Sequence, residues 1–136
     1  MPRRHLPGLL GLGLASALLL PAPAQPQLLS LPLPDIPDDP EALVIEVELA
    51  PGQASQPHRH HAYVFVYVLE GVVEMQVAGG ELQRLSAGEM FHETPADVHT
   101  VSRNPSTTER ARILVHFIKE AGAPVTTPGG GGGSGP

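Results

Sequence analysis

The chain has 136 residues, a formal net charge of −6 and no cysteine. That length suits one domain rather than two, and the acidic balance offers no basic patch for phosphates, which argues against a nucleic-acid partner. With no disulfides to lean on, a small domain must draw its stability from its core, a metal, a partner subunit or a mixture of these.

The chain opens on a basic stretch containing Arg3 and Arg4. An apolar run from Leu6 to Leu20 follows, then a small-x-small site at Ala22-Pro23-Ala24. This is the pattern of a secretory signal peptide over residues 1–24, with an uncleaved anchor as the alternative. The run is shorter than the roughly 20 apolar residues a bilayer span wants, so no stable membrane insertion is expected. The reading predicts a periplasmic or secreted protein that begins near Gln25. The remainder keeps six Lys+Arg and 14 Asp+Glu, a net charge of −8. So short a mature chain has a marginal single core, which favours a homodimer.

Residues 25–40 are rich in proline and read as an extended arm, because proline blocks both helix and central strand. Its leucines can pack on the domain surface or on a second subunit. Over 41–120 the apolar period is two. Leu43, Ile45, Val47 and Leu49 alternate with Val44, Glu46 and Glu48, the pattern of a half-buried strand. Residues 63–69 are apolar throughout and rich in β-branched and aromatic types, which predicts a strand covered on both faces. Tyr63, Phe65 and Tyr67 read as core or interface residues. Glu70-Gly71 marks a turn, with Glu70 capping it, and Val73, Met75 and Val77 a partner strand. Shorter strands are expected at 82–85, 89–94 and 98–102, and a last one over 112–119. Many short strands and no helical segment predict an all-β fold, a small antiparallel barrel or sandwich. Residues 121–136 end in a glycine- and proline-rich stretch and are expected to form a flexible tail.

The candidate chemistry lies in the histidines. His58 and His60 are two residues apart, so an extended backbone points both to one face, where neutral imidazoles can share a metal. His99, on a distant strand after the Pro95 turn, would be the third ligand. On spacing alone, His-x-His equally describes two exposed loop histidines. Arg59, between them, should point away and find a surface salt bridge. Three imidazoles suit one divalent metal ion such as Mn, Fe, Ni, Zn or Cu. Glu93, on the strand leading to His99, is the candidate fourth ligand; the alternative is a solvent-facing side chain. His92 has the opposite parity to Glu93, and His61 the opposite parity to His60. His116, in an apolar strand, reads as packed or outward-facing rather than as a ligand.

The order Gly52, His58, His60 and Gly71, followed by Gly88, Pro95, His99 and Asn104, resembles the two motifs of the cupin superfamily. Tyr67-Val-Leu-Glu-Gly71 is also very similar to that family. The resemblance spans roughly residues 43–119. It implies a double-stranded β-helix (jelly-roll) barrel and supports His58, His60 and His99 as metal ligands. The family's motif glutamate would fall at position 64, where this chain has Val64, which cannot ligate. Pro95 and Asn104 each stand one place off the pattern, and Ala96 replaces its internal glycine. Three histidines without that acid leave an open coordination position, as in catalytic sites. The resemblance carries two functional expectations. One is a metal-dependent enzyme, of oxygenase or isomerase type, acting on a small oxygenated organic molecule. The other is a non-catalytic periplasmic module that holds a metal or small ligand. Gln56, Gln76, Glu93 and Thr100 are the polar residues expected to face the cavity.

Overall fold

The computed structural model describes residues 25–129; the expected signal peptide over 1–24 and the end of the tail, 130–136, lie outside the described residues. Among the described residues, nine strands follow one another: β1 (Pro40–Leu49), β2 (His58–Arg59), β3 (Tyr63–Glu70), β4 (Val72–Val77), β5 (Gln83–Ser86), β6 (Met90–Glu93), β7 (His99–Arg103), β8 (Ala111–Glu120) and β9 (Thr127–Pro128). They form two antiparallel sheets, one in the order β1-β8-β3-β6 and the other in the order β5-β4-β7-β2-β9. The all-β jelly-roll expectation therefore holds, with strand ends within a few residues of those read from the sequence. Pro40 opens β1 at a sheet edge, where its missing N–H breaks no ladder bond.

The core is the space between the sheets. Val64, Val66 and Val68 of β3 face it, as do Ala111, Ile113, Val115 and Phe117 of β8, opposite Val73 and Met75 of β4. The strict alternation along β8 follows from the two-residue period of a strand with one buried face. β3 departs from expectation. Its even-numbered residues from Val64 to Val68 are fully buried, but Phe65 and Tyr67 are only half-buried, and Leu69 is exposed. The second face of β3 is the outside of the sheet, shared with Val44, Met90, His116 and Ile118, and this chain covers it only in part.

Local chemistry sets the connections. Gly71 turns β3 into β4 with φ +76°, and a Cβ there would lie 2.6 Å from the Arg110 carbonyl oxygen, so only glycine fits. Glu70 does not cap this turn; it pairs with Arg110 and Arg112, because β8 lies alongside β3. The buried Lys119 ammonium is satisfied by Glu41, 2.7 Å away, and by the carbonyls of Glu120 and Ala123. The arm has no strand over residues 25–39, but the Asp35 amide donates to the Tyr63 hydroxyl, and Leu29, Leu31 and Leu33 are half-buried.

The tail differs from expectation. Residues 127 and 128 form β9 and pair with β2, so the chain over 123–129 is a strap across the barrel mouth and not a loose end. The reason lies in pairing. β2 would otherwise be an unpaired sheet edge, and the strap supplies backbone partners for it.

Asn104 ties the loops at one end of the sandwich. Its side chain is 1% exposed; Nδ2 donates to the carbonyls of Leu49, Ala50 and Glu109, and Oδ1 accepts from the Ser106 amide. The role is structural, since none of these bonds reaches the histidines. Asn104→Ala should cost about 2–4 kcal/mol, because several buried backbone groups lose partners worth about 1 kcal/mol each. Chemical denaturation measures that loss, and metal stoichiometry below the melting transition should not change.

Candidate metal centre

Three parts of the fold bring the histidines together. His58 in β2 is the Cα partner of His99 in β7, so the two side chains leave adjacent strands at the same level. His60 follows two residues later on the same face, as its parity requires. His61 then takes φ 47° and is exposed, turned away from the site. Ahead of His99, the Asp97 carboxylate accepts from both the amide and the hydroxyl of Thr94. Arg59 points away from the histidines, and its guanidinium donates to the Ala96 carbonyl at 2.9 Å rather than forming a salt bridge. Both contacts hold the 94–97 turn that delivers His99.

The protonation of two of the rings follows from their partners. His58 Nδ1 lies 2.8 Å from the Gln56 carbonyl oxygen, and His60 Nδ1 lies 2.7 Å from that of Val125. A carbonyl only accepts, so both Nδ1 atoms carry the proton and both Nε2 atoms are bare in the neutral rings. Those Nε2 atoms are 3.1 Å apart. Two lone pairs cannot bond each other; such a contact needs a proton on one ring or a cation between them. Burial is the main influence on His60 and pushes its pKa below the ordinary histidine value, which disfavours the protonated alternative.

The third histidine and Glu93 strengthen the case. His99 is 4% exposed and stacks on Phe91, and neither of its ring nitrogens has a hydrogen-bond partner. Glu93 is 2% exposed, and its Oε2 lies 3.2 Å from His99 Nδ1 and 3.8 Å from His60 Nε2, also without a hydrogen bond. A buried carboxylate oxygen and an imidazole left unpaired together are costly. A divalent cation could take the Nε2 atoms of His58 and His60, one ring nitrogen of His99 and Glu93 Oε2 together. His58, His60 and His99 each offer a ligand atom within 4.8 Å of the others, so the donor set fits a metal.

The carboxylate reaches the site by an unusual route. Val64 on β3 and Glu93 on β6 are direct cross-strand partners. Opposed residues on an antiparallel pair have Cβ atoms about 5 Å apart on the same face. Glu93 therefore delivers an acid from the strand beside position 64, where Val64 has none.

The other sequence candidates separate cleanly. His92 is exposed on the outer face of β6, and His116 faces outward beside Phe65. Gln56 and Glu93 line the interior cavity, but Gln76 and Thr100 do not. The Gln76 amide donates to the Gly80 carbonyl, and the Thr100 hydroxyl to the Gln76 carbonyl, so both are used by the sheet itself. Sequence reasoning missed the strap. Val125 supplies the carbonyl that orients His60, and residues 125–128 wall the cavity. The signal available was Val125-Thr-Thr127, a short β-prone stretch between Pro124 and the glycine run that follows Pro128. The cavity beside the histidines has a volume of about 560 Å³, within the range of small-molecule sites.

Residues 45–117 match a family model described as Cupin domain. A search of curated proteins found no match. Among solved structures, the DMSP lyase DddQ from Ruegeria pomeroyi DSS-3 is similar with TM-score 0.55 and 21% identity, over 68% of this chain and 44% of that one. This chain thus spans less than half the length of that lyase. TT1209 from Thermus thermophilus is 32% identical with TM-score 0.50, over 58% of this chain and 73% of its own. A recombinant oxalate oxidase in complex with glycolate gives TM-score 0.54 at 24% identity, over 64% and 45% of the two chains. At these identities the lyase and the oxidase show likeness of fold.

The strap makes a separate claim on the site. Gly129 lies so close to β2 that a Cβ would be 2.8 Å from the His58 backbone nitrogen. Gly129→Val should therefore push β9 off β2 and loosen the Val125–His60 bond. Ending the chain at Gly122 removes that bond altogether. Both changes should weaken metal affinity about 10–100-fold, the usual cost of losing an orienting partner of a ligand histidine. Competition with a chelator reads the affinity, and unchanged affinity in both variants would deny the strap any part in the centre.

Proposed function

The chain belongs to the cupin domain family, and on that premise we propose that it is an exported metal-binding protein acting on a small oxygenated organic molecule at a centre of His58, His60, His99 and Glu93. The observation that carries this reading is the pair of bare Nε2 atoms of His58 and His60 held 3.1 Å apart. Two backbone carbonyls accept hydrogen bonds from both Nδ1–H groups, and Glu93 Oε2, without a hydrogen-bond partner, stands alongside. That arrangement is stable with a cation and strained without one.

A bound divalent ion would supply Lewis-acid coordination of a substrate oxygen. The chain's own part is to present four donors, to keep His58 and His60 in one tautomer, and to exclude bulk water on the sheet side of the site. The cavity reaching the histidines supports a small-molecule role over a module that only holds an ion, since a storage site has no use for such a space.

Protein purified without a histidine tag should contain one divalent metal ion per chain by elemental analysis. His60→Ala should abolish tight binding, while the outward His116→Ala should leave metal content unchanged. Glu93→Gln should weaken binding at least about tenfold, taking the low end of what even an outer-shell loss costs. Full metal content in His60→Ala would end this reading.

The export and dimer expectations complete the proposal. The outer face of the β1-β8-β3-β6 sheet, with Val44 at 52% exposure beside the half-buried Phe65 and Met90, is the surface a second copy would cover. Material from the native host should begin near Gln25 and scatter light as a dimer at micromolar concentration. An intact Met1 would refute the export, and a monomer would refute the dimer.

A further inference from the structure

The metal centre occupies one part of the cavity; the rest of its wall says what kind of molecule belongs there. The β1-β8-β3 side presents Ile45, Val47, Leu49, Val66, Ile113 and Val115, all hydrocarbon. Among the described residues no lysine or arginine lines the cavity, and its only carboxylate is Glu93, at the metal centre. The neutral polar side chains are Gln53, Ser55, Gln56 and Thr126, which are exposed, and Ser102 and Thr127, which are half-buried; none comes from the β1-β8-β3 side. A ligand in this space meets the metal centre, hydrocarbon along the β1-β8-β3 wall, and only neutral amides and hydroxyls elsewhere, with no cation to pair a second charge.

From this we infer the substrate class: a monocarboxylate, with its single oxygen-donor head at the metal centre and an aliphatic or aromatic body against the β1-β8-β3 wall. The inference rests on the metal reading above and narrows it. A second carboxylate or a phosphate would bring a further negative charge into a cavity that no lysine or arginine lines, and an unpaired buried charge is strongly disfavoured. A hydrocarbon body instead leaves water for an apolar surface, and each buried methylene strengthens binding about fourfold. The volume of about 560 Å³ leaves room for a body well beyond acetate.

The test uses the full-length mature chain, with metal content measured first on the same preparation. Acetate, butanoate, hexanoate and adipate are then titrated by calorimetry. Affinity should rise about fourfold per added methylene from acetate to hexanoate, with an increasingly negative heat-capacity change. Adipate, which matches hexanoate in length but carries a second carboxylate, should bind at least about tenfold more weakly. Val47→Arg on the edge strand β1 introduces a cation to the wall; it should leave metal content unchanged, weaken hexanoate and narrow the gap to adipate. Protein that binds no metal overturns the proposed function and this inference with it. Metal-loaded protein with flat affinity from acetate to hexanoate, or with adipate binding as tightly as hexanoate, overturns this inference alone. The wild-type series decides the matter even if Val47→Arg does not fold.

Discussion

Two imidazole nitrogens with no protons to share, held 3.1 Å apart, are the constraint on which the site turns. The constraint originates in the backbone. The Gln56 carbonyl precedes β2, the Val125 carbonyl comes from the strap 65 residues beyond His60, and each accepts a hydrogen bond from an Nδ1–H. Once those protons are committed, both Nε2 lone pairs point into one small volume. His99 and Glu93 close the same volume from β7 and β6, the latter in the other sheet. The site is therefore a product of both sheets and the C-terminal segment, and no single element could make it.

The same arrangement bears on stability. A chain without disulfides has placed an unpaired carboxylate and an unpaired imidazole, nearly inaccessible to water, beside its valine-rich core. Such groups oppose folding unless something satisfies them. A ligand that binds the folded chain and not the unfolded one adds to stability by mass action. A metal held by these residues would couple its binding to folding for that reason, and the strap that orients His60 would share in the coupling.

Glu93 brings an acid next to the histidines from the strand beside position 64. Val64 and Glu93 face the same interior from adjacent strands. Moving a carboxylate between directly opposed positions displaces it by about 5 Å, a distance a glutamate side chain can cover. Val64 itself extends the hydrocarbon wall of the cavity, so the acid approaches from β6 and the wall at position 64 is apolar.

Much of this was legible in the sequence because strand parity is a local property. Alternation placed Ile45 and Val47 inward and Glu46 and Glu48 outward. It put His58 and His60 on one face and separated Glu93 from His92. The paired glycine and histidine spacings carried the family resemblance. What the sequence could not decide was non-local. Whether Glu93 reaches the histidines depends on the β3–β6 register, and the inward parity of Glu93 acquires meaning only with Val64 opposite it. The outer face of β3 looked covered because its residues are apolar, but hydrophobicity does not say that a neighbour is present. The strap was read as loose because glycine and proline dominate its surroundings, and composition does not reveal that β2 offers an unpaired edge. By itself, the sequence determined the strands and their inward faces, consequences of a two-residue period, and with the motif spacings it named the candidate ligands His58, His60, His99 and Glu93. Only the tertiary structure decided that Glu93 lies beside the histidines, which backbone carbonyls the rings meet and what walls the cavity, because each depends on which distant backbone lies alongside.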